Sequence, residues 1–136
     1  MSKPPDKSAP EIVVIDDDHE LLKLISLLVR RIGATAQTFA DGETALTYLQ
    51  TNVPDLVILD LMLPDIEGLD LLHKLRQQIQ FDSVPVLILS ARTDPNVVRQ
   101  GLGLGADSYV TKPYIANSLI DRIQLLLSVG RQVASH

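Results

Sequence analysis

The chain has 136 residues, of which 46% are hydrophobic, 21% charged and 4% aromatic, with a formal net charge of −5 and no cysteine. That length suits one domain with a sizeable aliphatic core, and the acidic balance speaks against a surface built for nucleic acid or anionic membrane. The missing cysteines exclude a disulfide framework and a thiolate metal site, and no apolar run approaches the roughly 18–20 residues that cross a bilayer.

Residues 1–10 are polar and proline-rich without the apolar stretch of a signal peptide, so they read as a disordered leader and the expected location is the cytoplasm. One domain is then expected over 11–129. Its first strand is the apolar run 12–15, followed by a helix at about 18–32 whose apolar face reads Leu21, Leu24, Ile25, Leu28 and Ile32, with Asp18 as the cap. Strand two falls at 34–38 and helix two at 43–51; strand three covers 56–59 and helix three 67–79. Strand four falls at 84–89, helix four at 95–103 and strand five at 108–110. Helix five, at 115–128, carries Leu119, Ile120, Ile123, Leu126 and Leu127 on one face, and 130–136 reads as a disordered tail.

Gly33, Gly42, Pro54, Pro64, Pro85, Pro95, Gly105 and Pro113 punctuate the pattern where it needs breaks. Most of the strands are continuous Val, Ile and Leu, as strands covered on both faces should be. Five strands alternating with five helices predict an α/β fold, a (βα)5 doubly wound parallel sheet. The run Gly101-Leu102-Gly103-Leu104-Gly105-Ala106 has the spacing of a dinucleotide fingerprint, but it closes a helix and precedes a strand, the reverse of what that fingerprint requires.

Ligands of an open parallel sheet bind beyond the carboxyl ends of its strands. Here strand one ends in Asp16-Asp17-Asp18, strand three in Asp60, strand four in Ser90, and strand five runs into Thr111-Lys112-Pro113. Carboxylates gathered that closely repel one another by about 4 kcal/mol per pair at 4 Å and an effective dielectric near 20. A cation among them relieves this, and an all-oxygen site with free positions suits Mg²⁺, with Mn²⁺ an alternative. A dication and an ammonium beside a carboxylate nucleophile are what phosphoryl transfer to that carboxylate needs. His19 lies beside the acids but just inside a helix facing solvent, and His73 is likewise a helix-surface residue; neither is expected to bind metal.

The string Ile12-Val13-Val14-Ile15-Asp16-Asp17-Asp18 resembles the first strand of the receiver domains of bacterial two-component response regulators. The segment from Asp55 through Asp60, Pro64 and Gly68 resembles that family's phosphoacceptor strand and loop, and Leu87-Ile88-Leu89-Ser90-Ala91 and Gly105-Ala106-Asp107-Ser108-Tyr109-Val110-Thr111-Lys112-Pro113 match its last two strands. The resemblance covers residues 11–129 and implies the strand order 2-1-3-4-5. It implies phosphorylation of Asp60, Mg²⁺ held by Asp16, Asp17, Asp60 and the Met62 carbonyl, and Lys112 paired with the phosphoryl group. Ser90 would bind that group and Tyr109 would turn inward behind it, with a cis peptide before Pro113.

The donor implied is a sensor histidine kinase or histidine phosphotransfer protein. The output would be a changed face of helix four, strand five and helix five, through which the chain could also pair with itself. The domain would not bind nucleic acid directly, nor act as an enzyme beyond losing its own phosphoryl group. Ser90-Ala91-Arg92 and Met62 resemble the winged-helix transcription-factor branch, although Ser108 and Ser118 replace acids common there and leave Arg122 without an evident partner. Met62 cannot hold an attacking water well, so a persistent phosphoryl group is expected. Two other readings stay open: a phosphorylation-independent pseudo-receiver, and a haloacid-dehalogenase-type phosphatase, which needs an acid where Met62 stands. A flavin-binding domain of similar topology lacks its phosphate-cradling loop here.

Overall fold

The computed structural model describes residues 9–131. Five strands, β1 Glu11–Ile15, β2 Thr35–Phe39, β3 Leu56–Leu59, β4 Val86–Ser90 and β5 Ser108–Thr111, form one parallel sheet in the order β2-β1-β3-β4-β5. Its helices are α1 His19–Arg31, α2 Gly42–Leu49, α3 Gly68–Arg76, α4 Pro95–Gly103 and α5 Ala116–Val129. The parallel register sets Ile15 opposite Leu59 and Ser90 opposite Thr111, so the central strands finish nearly level.

Alternate residues of the central strands feed two cores, which is why those strands read as unbroken apolar runs. Val13, Ile15, Val57, Leu59 and Ile88 pack with Ala45 and Leu49 of α2, Leu71, Leu72 and Leu75 of α3, and Val97 of α4. Ile12, Val14, Leu56, Ile58, Leu87 and Leu89 pack on the other face with Leu22, Ile25 and Val29 of α1 and Leu119, Ile123 and Leu126 of α5.

Two helices depart from the predicted elements. In α1 the buried face is Leu21, Leu22, Ile25 and Val29, while Leu24, placed on that face from periodicity, is 44% exposed. Leu and Ile surround this helix almost completely, so spacing alone does not fix its rotation. Helix three stops at Arg76 rather than 79, and a 3₁₀ turn, Ile79–Phe81, brings Phe81 into the core while leaving Ile79 exposed. Asp18 does cap α1, accepting from the Glu20 and Leu21 amides, and Gly33, at a φ of 85°, supplies the left-handed turn after it.

Beneath the sheet, at the end opposite the acidic strand ends, the enclosed Asp107 carboxylate accepts from Arg76 Nη2 at 3.1 Å, Arg131 Nε at 3.1 Å and the Val86 amide at 2.9 Å. Both guanidinium groups also donate to the Gly105 carbonyl. Burial, with Arg131 adding to it, pushes the Arg76 pKa down to about 10, so Arg76 stays charged at neutral pH. Of the expected tail 130–136, Arg131 is thus tied to the domain, and of the expected leader 1–10, the Pro10 carbonyl accepts from the Thr35 amide. Residues 1–8 and 132–136, His136 among them, lie outside the described residues.

Gly103 is the last residue of α4, and a Cβ there would meet nothing within 4 Å. Gly103→Ala is therefore expected to stabilise the helix end by about 0.5–1 kcal/mol. Slower amide hydrogen exchange across 96–104 is the readout, and unchanged exchange would show that the glycine does not soften this turn.

Candidate functional site

Asp16, Asp60, Ser90 and Lys112 each stand at the end of a strand or one step beyond it. Asp17 and Met62 follow in the loops after β1 and β3, and Tyr109 lies within β5; a ladder hydrogen bond fixes three of the strand-end residues. The Asp16 amide donates to the Phe39 carbonyl at 3.0 Å, the Asp60 amide to Ile15 at 2.9 Å, and the Lys112 amide to Ser90 at 2.9 Å. The sheet edge therefore sets the backbone of Asp16, Asp60 and Lys112. One carboxylate oxygen from each of Asp16, Asp17 and Asp60 can be chosen so that all lie within 4.8 Å of one another. Asp16 and Asp60 are buried and Asp17 is exposed, so the cluster opens to solvent on one side.

Lys112 binds the two buried acids together. Its Nζ donates to Asp16 Oδ2 at 2.8 Å and to Asp60 Oδ2 at 3.3 Å. Burial works against the ammonium, but hydrogen bonding and attraction to Asp16 and Asp60 outweigh it and hold its pKa above the ordinary lysine value. Burial raises the Asp16 carboxyl, and the charge of Asp60 adds to this, against the lowering influence of Lys112 and the Asp18 amide. Asp60 Oδ1 accepts from the Met62 amide at 3.2 Å. A carboxylate has about four acceptor positions, so both buried acids keep lone pairs for a further ligand.

The loop after Asp60 closes on itself through Gly68 N to Leu61 O at 3.0 Å and an isolated bridge between Met62 and Glu67. A Cβ on Gly68 would lie 2.4 Å from the Leu61 Cα, so this closure requires glycine. The exposed Met62 side chain, Glu67 and Arg92 flank the mouth of the site together with Asp17. His19 is exposed at the start of α1 and stands outside the carboxylate cluster, and His73 is exposed on α3.

On the β4 side, Ser90 is fully buried and its Oγ accepts from the Arg92 amide at 3.3 Å. Tyr109 is half-buried, and its hydroxyl donates to the Arg92 carbonyl at 2.7 Å. Burial holds the Tyr109 pKa above the ordinary tyrosine value, against the lowering influence of Ser90 and Arg92 beside it. The Arg92 carbonyl was not legible as a partner, because a backbone acceptor leaves no mark in side-chain sequence. Arg122 has a partner after all: it donates to Ser108 Oγ at 2.8 Å. The Lys112–Pro113 peptide is cis.

The sequence profile of the response regulator receiver domain matches residues 12–124. The chain belongs to that family. It is 39% identical over 117 residues to the regulatory protein VanRc of Enterococcus gallinarum, which covers 86% of this chain and 49% of that protein. It is 36% identical to the phosphate regulon transcriptional regulatory protein PhoB of Rhizobium meliloti, covering 87% of this chain and 52% of that protein. The chain thus spans about half the length of such relatives. The receiver domain of the Francisella response regulator 1452 superposes with a TM-score of 0.81 at 34% identity, over 88% of this chain and 97% of that one. For the chemotaxis response regulator CheY4 of Vibrio cholerae the TM-score is 0.82 at 26% identity, over 87% and 98%. Among the described residues, no helix is long and apolar enough to cross a membrane.

Proposed function

We propose that this receiver domain takes a phosphoryl group onto Asp60 from the phosphohistidine of a sensor histidine kinase or histidine phosphotransfer protein. The observation that carries this reading is Lys112 Nζ, which bridges Asp16 and Asp60 inside a cluster of three carboxylates. An Asp60 oxygen attacks phosphorus in line; the P–O bond forms as the P–N bond breaks, and the electron pair stays on the departing imidazole nitrogen. The carboxylate set is hard and all-oxygen, which fits Mg²⁺, or Mn²⁺ in its place. Asp16, Asp17, Asp60 and the Met62 carbonyl would hold the ion, whose charge neutralises the acids and the phosphoryl oxygens.

Lys112 then exchanges Asp60 Oδ2 for a phosphoryl oxygen, and the Ser90 hydroxyl donates to another. That draws Ser90 toward the site and favours Tyr109 held inward against the Arg92 carbonyl, coupling the site to the face of α4, β5 and α5. Exposed Leu102 on α4, with Leu125 and Val129 following Arg122 on α5, gives that face apolar area for a partner, a second copy of the chain included. The reaction is self-directed, and function lies in changed partner preference rather than turnover.

Intact mass after acetyl phosphate and Mg²⁺ tests the reading: one phosphoryl group is expected, and none when the dication is removed. Absence of uptake in its presence would favour a phosphorylation-independent module. The side chain at position 62 should set the lifetime. Met62 is exposed at the site mouth, so Met62→Asn places a water-holding amide there without disturbing the core. Loss of the phosphoryl group is expected to accelerate several-fold in the variant when followed by mass over time; equal decay would refute this.

A further inference from the structure

The first turn of a helix has amides with no partner inside the helix, and the residue just before it usually supplies the acceptor. In α2 that residue, Asp41, reaches only the Thr44 amide, at 2.8 Å, and the Thr44 hydroxyl. The two amides before it are taken by a carboxylate from elsewhere: Gly42 N donates to Asp65 Oδ1 at 2.9 Å and Glu43 N to Asp65 Oδ2 at 2.9 Å. Asp65 belongs to the loop between β3 and α3, the loop that begins at Asp60. Its carboxyl is held below the usual carboxylate range, first by the Gly42 amide and then by that of Glu43, so it sits there as an anion.

The approach is close. A Cβ on Gly42 would lie 2.0 Å from Ile66 Cγ2, so glycine at this position is what lets the loop tip touch the helix. The helix in turn is anchored in the core through Ala45 and Leu49. The loop is thus pinned at two places, its neck by the Met62–Glu67 bridge and its tip by Asp65 on α2, and Met62 lies between Asp60 and that tip. Asp65 is itself exposed and contributes nothing to the apolar core.

We infer that Asp65 is a positioning residue for the metal site: by capping α2 across the loop, it sets where the Met62 carbonyl stands relative to Asp60 and Asp17. This role presupposes the metal site proposed above. Partners beyond the direct ligands commonly change metal affinity 10–100-fold, and one acting through a loop backbone belongs at the lower end, about tenfold.

Four forms of the full chain test it: wild type, Asp65→Ala, Asp65→Asn and Asp41→Ala. Mg²⁺ is titrated and followed by amide chemical shifts, and urea unfolding without metal reports on the fold. Asp65→Ala is expected to weaken Mg²⁺ about tenfold. Asp65→Asn, which keeps one acceptor oxygen, should fall between it and wild type. Asp41→Ala removes a cap from the same helix without touching the loop, and should leave Mg²⁺ affinity within about twofold of wild type while still lowering stability. Equal affinities in wild type and Asp65→Ala, or equal losses in Asp65→Ala and Asp41→Ala, would overturn the positioning role alone. A wild type that does not bind Mg²⁺ would overturn the proposed function and this role together.

Discussion

Asp60→Asn is expected to abolish phosphoryl uptake from acetyl phosphate while leaving the domain folded. The substitution is nearly isosteric, and the amide oxygen can still accept from the Met62 amide or from Lys112. What disappears is the proposed nucleophile, which is also one of the three carboxylates of the cluster. Removing one of several like charges relieves repulsion, so the urea midpoint of the metal-free variant is expected to hold or rise. Lys112 keeps its shorter bond to Asp16, at 2.8 Å, and remains at the site. The two readouts therefore separate: intact mass should show no added phosphoryl group, whereas unfolding should show no loss. A mass gain that survives the substitution would mean that another residue accepts the group, with Asp17, the exposed acid of the cluster, the first to examine.

The site was legible in the sequence because of how parallel sheets are built. Asp16 and Asp60 are the first polar residues after apolar runs, Ser90 closes β4, and Lys112 follows the end of β5. In this topology such positions meet at one edge, so four segments far apart in sequence could be read as one constellation. Either Asp60 or Lys112 alone would have been an ordinary loop residue. The two-sided burial of β1, β3 and β4 was equally plain from their composition.

What stayed hidden depends on contacts between distant segments or on the rotation of an element. The phase of α1 was masked by Leu22, Leu24, Leu27 and Leu28, which put apolar side chains on nearly every face. The end of α3 was masked by Ile79, an apolar residue at helical spacing that is in fact exposed. Asp65 carried no assignment from the sequence, because nothing local reveals that its carboxylate caps a helix more than 20 residues earlier in the chain. Arg131 read as part of a tail, because its partners, Asp107 and the Asp82 and Gly105 carbonyls, meet only once β5 and α5 are in place.

That last cluster carries the largest expected effect on stability. The Asp107 side chain has no exposure, while Arg76 and Arg131 beside it are 10% and 14% exposed. Asp107→Ala would leave two largely buried guanidinium groups without their carboxylate and the Val86 amide without its acceptor at the start of β4. Removing one partner of a buried ion pair costs about 3–5 kcal/mol, because the remaining charge is then poorly solvated. Against a total stability of about 5–15 kcal/mol, that is enough to leave a substantial unfolded fraction. Asp107→Asn, which retains an acceptor for the Val86 amide, should cost less. Arg131→Ala should cost least, since Arg76 still neutralises the acid and still donates to the Gly105 carbonyl. Urea unfolding of the three variants is expected to rank them in that order, and a wild-type midpoint for Asp107→Ala would show that the cluster is not holding the lower end of the sheet. Because the cluster lies at the far end of β5 from Lys112, the molecules that remain folded should still take up phosphate from acetyl phosphate, which distinguishes a stability defect from a defect in the chemistry.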